Sequence, residues 1–111
     1  MNAFEYAKYA IELCSQYNFV KSIELLLLDE PVVKIKAIVD NTTFIHIFYN
    51  AETQKYSFAL IRNNKRIFGA DNTKQWHIHP LADPTSHQKS APLDLKDFLE
   101  ILFRKRDKWL S

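Results

Sequence analysis

TFIHIFYNAETQKYSFALIRNNKRIFGAD, residues 43–71, holds three apolar runs separated by turn residues. Thr43–Tyr49 and Lys55–Arg62 are short runs rich in apolar side chains, and a third run goes from Lys65 to about Asp71. Short apolar runs bounded by turn residues read as strands. Asn63-Asn64 between the last two is a hairpin signal, because asparagine tolerates the positive φ of a type I′ turn. A two-residue turn there predicts a register of Leu60 opposite Ile67, Phe58 opposite Gly69 and Tyr56 opposite Asp71, all on one face. Gly69 then either packs under an aromatic ring or marks a bulge.

Outward from this stretch the same pattern continues. Val20–Leu28 and Val32–Val39 are two further strands, divided by Asp29-Glu30-Pro31 and closed by Asp40-Asn41-Thr42. In the second, Val33, Ile35, Ala37 and Val39 share a face while Lys34 and Lys36 point away. Short connections make the five strands an antiparallel meander, since parallel neighbours need long crossovers. The flanks are helical. Residues 3–17 place Phe4, Ala7, Ala10, Ile11 and Cys14 at helical spacing, with Asn2 as N-cap and Asn18 as the stop. Asp94 caps a second helix with Asp97 three residues on, and Leu93 is set to staple Phe98. Leu95, Phe98, Leu99, Leu102 and Trp109 form its apolar stripe. The expectation is one α+β domain over residues 1–111, ordered α-β-β-β-β-β-α, with both helices on one face of a five-stranded sheet.

The composition narrows the function. Of 111 residues 47% are hydrophobic and 25% charged, which excludes disorder. A net charge of +2 is too small to collect nucleic acid by field alone. Cys14 is the single cysteine, so an internal disulfide and a cysteine-rich metal site are excluded and a buried thiol is expected. The start MNAFEYAKYA lacks the features of a signal peptide, and no apolar run approaches ~18 residues. A cytoplasmic protein without a membrane segment is expected.

Chemistry concentrates in DNTKQWHIHPLADPTSH, residues 71–87, which carries three of the four histidines. Pro80 holds His79 extended. His77 and His79 then leave the same side of the chain, ~6.5–7 Å apart at Cα, while Trp76 and Ile78 point to the other. Asp83-Pro84-Thr85-Ser86 reads as a turn that returns His87 to the pair. Three chemistries fit this set. Metal-free RNA cleavage would use one imidazole as base and another as acid, with Asp71 as orienter and a cation from Arg62, Lys65, Arg66 or Lys74. A zinc site would use His77, His79, His87 and Asp71. Binding without chemistry would use Trp76 and the imidazoles as a stacking surface. Each residue also has a plainer reading. Asp71 caps a turn starting at Asn72, His46 is a sheet residue between isoleucines, and Arg104-Lys105-Arg106 is a solvated helix end.

FGADNTKQWHIHPLADPTSH, residues 68–87, resembles the signature of the TumE-type toxins of prokaryotic toxin–antitoxin systems. Asp71 and Asn72 match an Asp-Asn pair after a strand, His77, His79 and Pro80 match the centre, and His87 matches a distal histidine. The helix opening at Asp94 falls where the family has one, and FVKSIELLLL, residues 19–28, is similar to its first strand. Many members carry an arginine or aromatic where Gly69 and Ala70 stand, so here Arg66 would have to serve. The resemblance implies a small toxin acting on RNA, with a cognate antitoxin as partner. On this reading His77 and His79 are the acid–base pair, Asp71 the orienter and His87 a further participant. Arg66, Lys74 and Trp76 contact the substrate, and no metal cofactor is used. The alternatives are a non-enzymatic protein-interaction or nucleic-acid-binding module, a homodimer among them, and a zinc-binding domain built on His77, His79 and His87.

Overall fold

The computed structural model describes residues 1–110 and shows an antiparallel sheet of seven strands with helices at both ends of the chain. Helix α1 spans Ala3–Cys14. The strands are β1 Ser22–Asp29, β2 Val32–Ile38, β3 Thr43–Asn50, β4 Lys55–Arg62, β5 Lys65–Asp71, β6 His77–His79 and β7 Gln88–Lys89. Helix α2 spans Leu95–Arg104, and a single turn, α3, covers Arg106–Trp109. Strand order in space follows strand order in sequence, so the meander is as expected. The expected count of five strands is corrected to seven, because the histidine stretch adds β6 and β7. The sequence marks His77–His79 as extended but does not show its pairing with β5, and β7, of two residues, is too short for alternation to reveal.

Both helices pack on one face. Val33, Ile35, Ala37, Ile45, Ile47, Phe58 and Leu60 are buried beneath them. Tyr6 of α1 stacks on Tyr49 with ring centroids 4.3 Å apart, and Phe98 of α2 packs on Phe58 and Phe68 at 5.4 and 5.3 Å. Each helix opens with a capping box, Asn2 with Glu5 and Asp94 with Asp97, which satisfies backbone donors that the first turn leaves free. The β1–β2 turn fixes α1 further, since Glu30 accepts from the backbone N–H of Ala3 and Phe4 at 3.0 and 2.9 Å. Helix α1 ends at Cys14 rather than near Asn18, three residues early. The apolar stripe of α2 is as expected, and Trp109 is buried although the helix breaks at Lys105. Its indole N–H donates to the Leu102 carbonyl at 2.8 Å, and Arg62 donates to the Trp109 carbonyl.

The β4–β5 register departs from expectation, and the departure positions the site. Asn63 and Asn64 both have positive φ, so the two-residue turn is as read. It enforces Arg62 opposite Lys65 and Ile61 opposite Arg66. Beyond that, Leu60 faces Phe68, Phe58 faces Ala70 and Ser57 faces Asp71, so Ile67 is an extra, bulged residue. The expected pairing of Phe58 with Gly69 and Tyr56 with Asp71 would have buried a carboxylate under the helices. It would also have turned Phe68 and Ala70 to the open face. Because side chains alternate, one extra residue exchanges the faces. Phe68 and Ala70 go under α2, while Gly69 and Asp71 go to the opposite side.

Removing the α2 cap tests the local account. Asp94→Ala should cost about 1 kcal/mol in urea unfolding, whereas Asp94→Asn should stay close to the parent.

Candidate active site

The helix-free face of β5 and β6 carries the cluster. Gly69 pairs with His79 and Asp71 with His77, so the carboxylate and both imidazoles emerge on one side. The loop from Pro80 turns at Asp83, whose carboxylate accepts from Thr85, and returns in β7. This places the His87 ring 4.4 Å from that of His79 and 5.0 Å from that of His77, centroid to centroid. One nitrogen from each imidazole falls within a single group whose members are all within 4.8 Å of one another. The cleft over them, of about 510 Å³, is also walled by Arg66, Lys74 and Lys89.

The hydrogen bonds fix the protons. The guanidinium of Arg66 has only donors, and its Nη2 lies 3.1 Å from His79 Nδ1. That nitrogen must therefore be the bare one, and the proton of neutral His79 sits on Nε2. His77 Nδ1 lies 3.0 Å from the Gln75 carbonyl, which only accepts, so it carries the proton there. His77 Nε2 is left as an acceptor for His79 Nε2–H at 3.2 Å. Asp71 Oδ2 stands 3.2 Å from His77 Nε2 and 3.6 Å from His79 Nε2. When His77 takes a second proton, that carboxylate is in place to pair with it. Asp71 fills its plainer role as well, because Oδ1 accepts from the backbone and hydroxyl of Thr73 and holds the turn after β5.

Burial divides the imidazoles. His79 is 2% exposed, His77 is partly exposed, and His87 is exposed, with no hydrogen-bond partner among the described residues for either of its ring nitrogens. Burial holds the His79 pKa below the ordinary histidine value, and the positive charge of Arg66 pushes it the same way. Gly69 makes room for this contact. A Cβ there would sit 2.9 Å from Arg66 Cδ and 3.2 Å from the Phe58 carbonyl oxygen.

Asp71, His77, His79 and His87 thus come together, with Arg66 and Lys74 beside them. Trp76 does not join them, because it stacks on Tyr56 on the helix side, ring centroids 6.0 Å apart. His46 is a half-buried sheet residue, and Arg104, Lys105 and Arg106 are exposed. Sequence reasoning missed Lys89, Gln75 and the space at Gly69. Only the return of the chain after Asp83 could have pointed to Lys89.

Because the folded pKa of His79 lies below its unfolded value, the unfolded chain takes the proton first. Stability is full above about pH 6.5 and falls as pH drops through the folded value. His46, lowered by burial and by Lys34, adds to the same slope. In urea unfolding between pH 7.5 and 5, with chelator present, His79→Gln should flatten this loss. Arg66→Gln and Gly69→Ala should raise the His79 midpoint followed by NMR.

The family model described as Toxin TumE matches residues 11–109. No curated protein matches the chain. No solved structure matches it either. With a match across nearly the whole domain, including both the sheet and the imidazole cluster, the chain belongs to the TumE toxin family.

Proposed function

We propose that this toxin cleaves RNA without a metal, by general acid–base chemistry at the Asp71–His77–His79–His87 cluster. The observation that carries the reading is the convergence of three imidazoles and a carboxylate in an open cleft walled by Arg66, Lys74 and Lys89. The cations suit a phosphodiester, and imidazoles suit proton transfer near neutral pH. His77 and His87 are the two rings that solvent reaches, so they face the substrate, His77 through Nε2 once that nitrogen releases the His79 N–H. One takes the 2′-hydroxyl proton as that oxygen attacks phosphorus. The other delivers a proton to the departing 5′-oxygen, leaving a 2′,3′-cyclic phosphate and a 5′-hydroxyl. Asp71 pairs with His77 once it is protonated. His79, buried and held by Arg66, positions His77 rather than touching RNA. This moves His79 from the acid–base role first expected and gives that place to His87. Trp76, on the far face, is not part of this contact.

The test uses purified protein and a fluorescent RNA in excess EDTA. Cleavage should yield cyclic-phosphate ends, and His77→Ala or His87→Ala should each lose roughly 10²–10⁴-fold in rate. The same variants, at equal protein level, should relieve growth arrest. Parental rates and arrest in both variants would refute the acid–base reading.

A zinc site is the second reading, and one set of distances favours it. The edges between Asp71 Oδ2, His77 Nε2 and His79 Nε2 are 3.2, 3.2 and 3.6 Å. A tetrahedral zinc with bonds of ~2.0–2.1 Å has ligand–ligand edges of about 3.3–3.4 Å. Against it stands Arg66. A metal on His79 Nε2 needs the proton on Nδ1, where the guanidinium now donates. Elemental analysis of untagged protein separates the two readings. Near-zero zinc is expected, and a value near one per chain, with Arg66 displaced, would install the metal reading instead.

A further inference from the structure

The helix side of β6 carries a second cleft, of about 550 Å³, opposite in character to the first. Its walls include Tyr9, Tyr49, Tyr56, Trp76, Asp94 and Asp97, and no lysine or arginine. Tyr49 and Tyr56 have ring centroids 4.9 Å apart, and Trp76 continues the row beyond Tyr56. The two aspartates belong to the α2 capping box, which uses Asp94 Oδ1 and Asp97 Oδ2. The remaining oxygen of each receives no donor from the described residues. Tyr6 completes the wall. It is 4% exposed, and its hydroxyl is the one buried side-chain polar atom among the described residues without a hydrogen-bond partner. Both carboxylates are felt inside the cleft, since Asp94 and Asp97 add to burial in raising the Tyr9 pKa.

Aromatic faces, unpaired carboxylate oxygens and an unused hydroxyl are what a flat cation with many donors needs. We propose that this cleft receives the guanidinium of an arginine presented by a partner polypeptide, the toxin's antitoxin. The inference rests on family membership and not on the RNA-cleavage reading. Guanidinium stacks on aromatic faces and forks onto carboxylates, which an ammonium does less well. A nucleobase would also stack, but its phosphates would meet Asp94 and Asp97, whereas the cations that suit phosphate lie on the other face of the same strand. Trp76 and His77 are neighbours in sequence with side chains on opposite faces. An arginine seated against Trp76 therefore lies one residue from the imidazole cluster without competing for it.

The probe is N-acetyl-arginine amide, titrated into the full chain labelled with ¹⁵N and followed at the indole N–H of Trp76, which Trp76→Phe identifies. A saturable shift with a millimolar midpoint is expected, as for a single anchored side chain at about 1 mM or weaker. The neutral isostere N-acetyl-citrulline amide should give none. Asp97→Asn should weaken binding about tenfold or more while unchanged urea unfolding shows the fold intact, and Asp94→Asn should do the same. Equal binding of the citrulline probe, no saturation by ~50 mM, or a response to GMP and AMP in place of arginine would each overturn the proposal. RNA cleavage enters none of these measurements, so either reading can fail alone.

Discussion

The phase of β5 against β4 is the constraint on which the working face depends. The Asn63-Asn64 turn imposes one register, and the need to bury Phe68 and Ala70 imposes another, one residue out of step. Ile67 absorbs the difference as a bulge. With hydrocarbon satisfied on the helix side, the polar residues of β5 fall together on the far side. There β6 meets them in regular register. The site is thus a product of apolar packing on the other surface of the same strand.

The sheet separates two electrostatic environments only one layer apart. One face gathers imidazoles with Arg66, Lys74 and Lys89, and the other gathers phenols with Asp94 and Asp97. Neither collection follows from the net charge of +2, which averages them away. What gives each side its character is which residues the alternation exposes. Within the imidazole group, Arg66 removes ambiguity. As a pure donor it selects the tautomer of His79, and that choice runs through His77 to the Gln75 carbonyl. No helix of the described residues is long and apolar enough to cross a membrane.

Much of this was legible in the residues. Both capping boxes, the paired asparagines, the buried stripe from Leu95 to Trp109 and the sealed Cys14 are local signals with local causes. The opposite orientation of Trp76 and the histidines followed from alternation alone. The bulge did not, because Phe68-Gly69-Ala70 can be read in either phase and only α2, far along the chain, selects one. The pairing of β6 with β5 was not shown by the residues, and β7 was hidden by brevity. Lys89 was hidden by the loop that carries it back to His77. The break at Lys105 was masked because Trp109 keeps its place on the apolar stripe across it. The family followed from the residue pattern, and the match over residues 11–109 bears it out. The chemistry proposed for the cluster is written in no single motif.

Strand β1 forms the outer edge of the sheet, and Leu25, Leu26, Leu27 and Leu28 stand there 37–48% exposed. Leu26 is itself a bulge against β2, since Leu25 faces Ile35 and Leu27 faces Lys34. An irregular edge interrupts the ladder that a newcomer would need to extend the sheet. The greasy rim therefore offers grip without a template. Whatever settles on it will be held by side-chain contact, and amyloid-like stacking of identical copies is discouraged by the backbone itself.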